Sequence, residues 1–193
     1  MAKFTSLKGK LLIAMPNIQG DDFNRSVVYV CSHNAEGAMG LVINKPASDM
    51  IFADLVEKLD VYSKGNLVDV GILQSLIFKG GPVKKFQGFV LHSADYFSPG
   101  ESLKINKEFT LTATVDVLRD IAKGQGPQRN RIVLGYAGWS PGQLENEIMR
   151  NGWLHCEASA DLVFSHNHGA MHGAALNTLG VDPRMLSSEA GHA

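Results

Sequence analysis

The chain has 193 residues, 45% of them hydrophobic, and carries 18 Lys and Arg against 19 Asp and Glu, for a formal net charge of −1. A chain of this length buries about 70% of its unfolded surface on folding, so we expect a single domain over residues 1–193. The balanced charge argues against direct nucleic-acid binding, and no stretch reaches the roughly eighteen apolar residues that a membrane span requires.

The first predicted elements are three strands near the N-terminus. Residues Gly9–Met15 are predicted to form a buried strand because they contain the continuous apolar run Leu11–Met15. Its apolar part is too short for a signal-peptide core, so we expect a soluble cytoplasmic protein. The run Ser26–Cys31 is β-branched and aromatic on both faces and predicts a central strand, and Ala38–Ile43 returns after a turn. These last two strands are predicted to form an antiparallel hairpin.

A short amphipathic helix is predicted next. Ser48 or Asp49 is a suitable N-cap, and apolar residues then recur at intervals of three and four, at Phe52, Leu55, Val56 and Leu59. The stretch between Val61 and Ser75 has no clear periodicity, so no element is assigned there.

The remaining chain alternates strand and helix patterns. Strands are predicted at Leu76–Phe78, Gly88–His92, Leu103–Thr112 (a pair or one bent strand), Arg131–Ala137, Trp153–Cys156 and Asp161–Phe164. Helices are predicted over Val115–Ala122, from Ser140 to Met149, and over Met171–Leu179. This order predicts an α+β fold with a mixed, mostly antiparallel sheet and about four flanking helices.

The helix predicted from Ser140 has a strong start signal. Ser140 is the predicted N-cap, Pro141 the first helical residue, and Gln143 the residue whose side chain returns to the cap. Such a helix start leaves backbone N–H groups free and can form a weak anion site.

Several motifs, in order along the chain, resemble the bacterial YqgE/AlgH family. They are Leu12–Pro16, Phe23–Val30, Gly37–Pro46, Gly80–Val83, Gly88–His92, Gly135–Glu145 and Gly191–Ala193. The resemblance implies an α+β fold with barrel-like character. It also implies an uncharacterised bacterial protein that has been suggested to regulate transcription, without established catalytic residues. The chain departs from the family between Val163 and Leu179, where a Trp-containing helix is usual and the sequence here is rich in His, Gly and Ala.

A ligand-binding cleft is predicted where polar and Gly-rich turns meet beside the Ser140 helix. Glycine turns expose backbone N–H groups, and an Arg or Lys adds charge-assisted hydrogen bonds to an anion. The alternative is that the glycines only satisfy tight turns. The predicted cleft residues are Arg25, Ser26, Asn44, Lys45, Gly80, Gly81, His92, Gly138, Trp139 and Ser140.

Side-chain chemistry suggests two further candidate sites. An enzyme acting on an anionic substrate would use His92 as acid or base, and it requires His92, Ser93, Arg25 and Lys45 to converge. A metal site could be formed by His166, His168 and His172, with Asp161 as a fourth ligand, if a helix begins near His168. Surface histidines without metal are the alternative.

Cysteine and basic residues complete the sequence-based expectations. Cys31 and Cys156 lie in apolar runs and are predicted to be buried, reduced thiols, with a disulfide or redox pair as the alternative. The basic pairs Lys84–Lys85 and Arg129–Arg131 are predicted to be solvated loop ends.

The leading hypothesis is a non-catalytic regulator without a cofactor that binds a small anionic ligand or a protein partner.

Overall fold

The structure, a computed structural model, describes residues 5–18, 21–59, 70–182, 184 and 186. The strands in this part are β1 (Lys10–Ala14), β2 (Val27–Asn34), β3 (Gly37–Val42), β4 (Pro46–Ile51), β5 (Leu76–Lys79), β6 (Val83–Ser93), β7 (Ser102–Lys104), β8 (Phe109–Thr112), β9 (Asn130–Trp139) and β10 (Trp153–Glu157). The helices are α1 (Phe52–Lys58), α2 (Val70–Leu73), α3 (Val115–Ala122), α4 (Gln143–Met149), α5 (Ala160–Val163) and α6 (Met171–Thr178), with a 3-10 turn at Asp21–Phe23.

The ten strands form one curled sheet shaped like half a barrel. Its strand order is β10-β1-β2-β3-β9-β6-β8-β7. Strand β5 also pairs with β9, next to β3, and β4 pairs with the other edge of β5. Among the described residues, β5 and β9 are parallel and the other pairings are antiparallel. The predicted class, an α+β fold with a mostly antiparallel sheet and about four substantial helices, is confirmed.

Strand β9 changes partner at Gly135. Its first half pairs with β5 through Leu134, and its second half pairs with β3 from Ala137. Gly135 lies between them at φ 76°, a left-handed conformation that glycine adopts without a Cβ clash. A Cβ on Gly80 would lie 2.3 Å from the Gly135 carbonyl oxygen, and one on Gly81 2.3 Å from the Tyr136 carbonyl carbon. These glycines therefore allow close backbone contact at the bend.

Both faces of the sheet are covered by helices. One face packs Tyr29 and Phe109 with residues of α5 and α6 in a single cluster. The opposite face has two clusters: α1 and α3 cover Ile132, and α4 covers the region of Trp153. Every residue of Val27–Cys31 is fully buried, which confirms that β2 is a central strand. None of the described helices is long and apolar enough to cross a membrane.

The structure corrects two secondary-structure predictions outside the candidate sites. Asp161–Phe164 was predicted as a strand, but Ala160–Val163 is a helical turn because the Ser159 hydroxyl accepts the Leu162 N–H. Ser48 and Asp49 do not cap α1, since they lie in β4 and the helix begins after Ile51. Residues 61–69 of the unassigned Val61–Ser75 stretch lie outside the described residues.

Candidate functional site

Four of the predicted cleft residues lie together where β2 begins and β3 ends. Asn44 accepts the first backbone N–H of β2 through Oδ1 at 2.8 Å and donates to the Arg25 carbonyl through Nδ2 at 2.9 Å. The Lys45 ammonium donates to a carbonyl of the 3-10 turn at 2.9 Å. Ser26 is buried, and its hydroxyl has no hydrogen-bond partner within the described residues. Asn44 and Lys45 therefore hold the turn that contains Arg25.

His92 has a structural environment of its own. The side chain is fully buried, with Nδ1 at 2.9 Å from the Ser93 carbonyl and Nε2 at 2.9 Å from the Thr112 hydroxyl. Its ring also packs edge-on against Tyr96. Burial lowers the pKa of His92, so the neutral ring is favoured. Both ring nitrogens already have partners inside the fold.

His92 also lies far from the Arg25–Lys45 region. It is paired with Asn130 on β9, whereas Lys79, whose N–H donates to the Lys45 carbonyl, lies beside Leu134. Those two β9 positions are four residues apart, which corresponds to about 13 Å along a strand. The convergence that the enzyme hypothesis requires is therefore not present.

The region around Ser140 begins its helix later than predicted. The N-cap of α4 is Gly142, at φ 74°, and Ser140–Gln143 forms a turn before it. The Gln143 side chain does accept the Ser140 N–H at 3.0 Å, as predicted. Gly142 tolerates the left-handed conformation that ends the turn, and this moves the cap two residues along. The anion site expected at this helix start stays a prediction.

Two tryptophans meet on one carboxylate beside α4. The Nε1 atoms of Trp139 and Trp153 donate to Glu147 Oε2 at 2.9 and 2.8 Å, and Gln143 donates to Glu147 Oε1 at 2.9 Å. A hollow of about 370 Å³ lies against this group and also touches Gly138. The Glu147 carboxylate already accepts hydrogen bonds from three donors. It therefore joins α4 to β9 and β10.

The predicted cleft is thus divided among separate hollows. Arg25 lines one of about 240 Å³, Lys45 and Gly81 line another of about 580 Å³, and Gly138 and Trp139 line the one beside α4. The predicted cleft residues therefore do not all line one hollow, and Gly80 and Gly81 pack closely on the backbone of β9. A ligand at any one of these hollows remains a prediction.

The predicted histidine metal site is also not assembled. Helix α6 begins at Met171, so His168 precedes it, and His172 is buried with Nε2 at 2.8 Å from the Ala14 carbonyl. The His168 ring instead packs edge-on against Phe78. Among the described residues, no group of three or more His, Cys, Asp or Glu side chains could hold a metal ion. The proposed fourth ligand, Asp161, pairs with an arginine.

Arg131 is the polar residue that the sequence-based predictions missed. Its side chain is only 5% exposed, although it was assigned to a solvated loop end. Nε donates to the Val163 carbonyl at 2.9 Å, Nη2 donates to the Ser165 carbonyl at 2.8 Å, and the guanidinium lies 4.2 Å from the centre of the Phe78 ring. Arg131 forms no ion pair within the described part of the chain. Burial lowers its pKa to about 10.

Arg129 provides a second cation near Arg131. Its Nη1 pairs with the exposed Asp161 at 2.9 Å, and its guanidinium lies 5.3 Å from the centre of the Phe164 ring. A hollow of about 540 Å³ is bordered by both arginines, both phenylalanine rings and the side chains of His166 and His168. We call this hollow the arginine pocket. Two cations over an apolar floor can bind an anion with charge-assisted hydrogen bonds.

Strand alternation provided a signal for Arg131. Residues i and i+2 of a strand face the same side, and Val133, two positions later in the predicted strand, is an apolar residue that belongs to the main core. Arg131 therefore faces that interior. The pocket itself joins β5, β9 and the segment after α5, which the sequence could not place together.

The two cysteines have the environment predicted for them. Cys31 and Cys156 are buried, free thiols. Burial raises the pKa of Cys31 to about 12 and also raises that of Cys156. A thiol with a raised pKa is a poor nucleophile at neutral pH because little thiolate forms. The predicted buried and reduced state is confirmed.

Comparison with known proteins places the chain in a family of similar length. A family model described as AlgH-like matches residues 11–184. A UPF0301 protein of Bradyrhizobium diazoefficiens is 50% identical over 189 residues, covering 97% of this chain and 88% of the relative. Another, from Azorhizobium caulinodans, is 49% identical with 97% and 92% covered.

Solved structures agree with this result. The solution structure of the AlgH protein from Pseudomonas aeruginosa is similar with a TM-score of 0.76 and 39% identity, covering 100% of this chain and 99% of that one. A crystal structure of a Corynebacterium diphtheriae protein has a TM-score of 0.71 at 19% identity, covering 96% and 92%, and supports the fold alone. The resemblance found in the sequence motifs is thereby confirmed: the chain belongs to the AlgH-like family.

Proposed function

We propose that this chain is a non-catalytic binding protein with a regulatory role and that its ligand is a small anion held in the arginine pocket. One observation carries the proposal: the Arg131 guanidinium is buried without a carboxylate partner among the described residues. A buried charge is unfavourable unless an opposite charge or enough hydrogen bonds compensate it. A bound anion would provide that compensation.

The hydrogen bonds of Arg131 leave one side of the guanidinium available. A guanidinium has five N–H groups, and the two hydrogen bonds to the Val163 and Ser165 carbonyls use Nε and Nη2. Nη1 carries two further N–H groups, and the Arg131 side chain borders the pocket. The lowered pKa of Arg131 agrees with incomplete compensation of its charge. An oxyanion could accept from Nη1 without disturbing the contacts to α5.

The rest of the pocket favours a small organic anion. Phe78 and Phe164 give it an apolar floor, and a volume of about 540 Å³ is in the range of small-molecule sites. Arg129 adds positive charge, which Asp161 offsets only in part because that carboxylate is largely exposed. We therefore propose a carboxylate- or phosphate-bearing compound as the natural ligand.

A regulatory effect can follow from the contacts of Arg131. The same guanidinium holds the Val163 and Ser165 carbonyls, so anion binding is coupled to the segment between α5 and α6. That segment is where the sequence departs from the family pattern. A ligand that stabilises one arrangement of this segment would change the surface that a partner protein contacts.

A thermal-shift titration with inorganic phosphate, pyrophosphate and citrate tests the proposal. We expect the melting temperature of the wild-type protein to rise with at least one of these anions beyond the effect of NaCl at equal ionic strength, since a ligand stabilises the folded state. The Arg131→Met variant should lose this rise, and Arg131→Lys should keep only part of it because lysine lacks the planar fork.

Arg119→Met is the matched control. Arg119 is on α3 and pairs with Asp116, so its removal should leave the anion effect intact. Circular dichroism of Arg131→Met checks that the variant folds, and Arg129→Met serves as a second pocket variant. The proposal fails if none of the three anions stabilises the wild-type protein, or if both pocket variants respond as the wild type does.

A further inference from the structure

The most exposed large apolar side chain among the described residues lies on a bulge in β6. Phe86 is 97% exposed. Val83 pairs with Tyr136 and Gly88 with Leu134, so five steps along β6 correspond to two along β9. The three extra residues push the segment 84–87 out of the sheet, with Lys84 at φ 45°. The bulge therefore projects an aromatic ring from the surface.

A hollow of about 580 Å³ lies directly beside this ring. The apolar side chains that line it include Leu134, Met50 of β4 and Phe86 itself. Gly88, which is paired with Leu134, has no side chain to fill the space, and a Cβ there would touch only the Leu134 side chain at 3.9 Å. The surface thus carries an apolar projection and an apolar cavity next to each other.

The charges around the hollow have both signs. Lys45, Lys79 and Lys85 border it together with Asp22 and Asp49. Within the described part of the chain, the side chains of Lys79, Lys85, Asp22 and Asp49 form no ion pair. Lys85 is adjacent in sequence to Phe86, and Asp49 is adjacent in sequence to Met50, which also lines the hollow. A surface with both signs of charge complements a second copy of itself better than it complements a purely acidic or basic partner.

We propose that the chain forms a two-fold symmetric dimer in which Phe86 of each copy occupies the hollow beside Phe86 of the other. A two-fold interface uses the same patch on both copies, and a projection beside a cavity is self-complementary under that symmetry. When Phe86 enters the partner hollow toward Met50, Lys85 is carried toward Asp49 of the second copy. Each half of the dimer then buries one aromatic ring and gains one ion pair.

Sedimentation velocity from micromolar to near-millimolar protein concentration tests this proposal. We expect the wild-type chain to show a concentration-dependent monomer–dimer equilibrium. Phe86→Ala removes two buried rings per dimer and should weaken the dimer by about a hundredfold or more. Phe97→Ala is the matched control, because it truncates a different exposed phenylalanine outside the proposed interface. It should leave the equilibrium unchanged.

A charge exchange tests the arrangement independently of the aromatic ring. Lys85→Glu and Asp49→Lys should each weaken the dimer, and the double variant should recover most of the lost affinity because the pair is restored with its signs reversed. A wild-type chain that stays monomeric over the whole range overturns the proposal. So does a dimer whose dissociation constant is the same in Phe86→Ala and wild type.

Discussion

Arg131 brings a positive charge into a mostly apolar core. Phe78 covers one face of its guanidinium, and the Val163 carbonyl at the end of α5 and the Ser165 carbonyl beyond that helix accept its hydrogen bonds. A carbonyl at a helix C-terminus carries partial negative charge and is a favourable partner for a cation. These contacts explain how the Arg131 side chain is tolerated without a carboxylate partner. They leave the part of the guanidinium that borders the arginine pocket available to a ligand.

Two buried histidines should make stability depend on pH. Burial lowers the pKa values of both His92 and His172 below the usual 6.5. The unfolded chain therefore binds more protons than the folded chain once the pH falls below about 6.5, and the free energy of unfolding must decrease there. The decrease is at most about 1.4 kcal/mol per pH unit for each histidine.

Urea unfolding of His172→Gln between neutral pH and the mildly acidic range measures the share of one histidine. Glutamine can still donate to the Ala14 carbonyl but does not titrate, so this variant should lose less stability on acidification than the wild type. His155→Gln, at an exposed position, should behave like the wild type. An unchanged pH dependence in His172→Gln would refute this explanation.

Helix α4 is fixed to the sheet through Glu147. Its carboxylate accepts both indole N–H groups, from Trp139 on β9 and Trp153 on β10. Both indoles are largely buried. Removal of the Glu147 carboxylate would therefore leave their N–H groups without a hydrogen-bond acceptor. The sequence predicted a helix here but gave no sign of this contact, because the two strands are separated by the helix itself.

Replacement of Glu147 tests this connection. Glu147→Leu leaves two buried donors unpaired and should lower the free energy of unfolding by about 3 kcal/mol, whereas Glu147→Gln keeps an acceptor oxygen and should cost less. The chain has only these two tryptophans, so tryptophan fluorescence during urea unfolding reports on the site directly. Equal stability of the two variants would show that the hydrogen bonds contribute little.

Local patterns predicted most elements but failed where a short segment had two options. The apolar run Asp161–Phe164 fits a strand or a helical turn equally well, and the cap from Ser159 decides for the helix. The helix start at Ser140 was shifted because Gly142 adopts the left-handed conformation. β2, in contrast, was predicted correctly because its apolar residues on both faces require burial on both sides.

The arrangement of the whole sheet was outside the reach of local patterns. Lys10 pairs with Glu157, and β5 runs parallel to β9, so neighbours in space are far apart in sequence. The predicted cleft shows the same limit: its residues were placed together by type, although in the fold they line separate hollows. The arginine pocket depends equally on such distant contacts, since Phe78, Arg131 and Ser165 come from three parts of the chain.

The central claim is that the arginine pocket binds a small anion, and an amide NMR titration with pyrophosphate tests it most directly. We expect concentration-dependent shifts centred on residues 128–131 and 163–168 and on the Arg131 Nε–H signal, and these shifts should vanish in Arg131→Met. Shifts centred instead on the hollow beside Trp139, or a spectrum that pyrophosphate leaves unchanged, would contradict the claim.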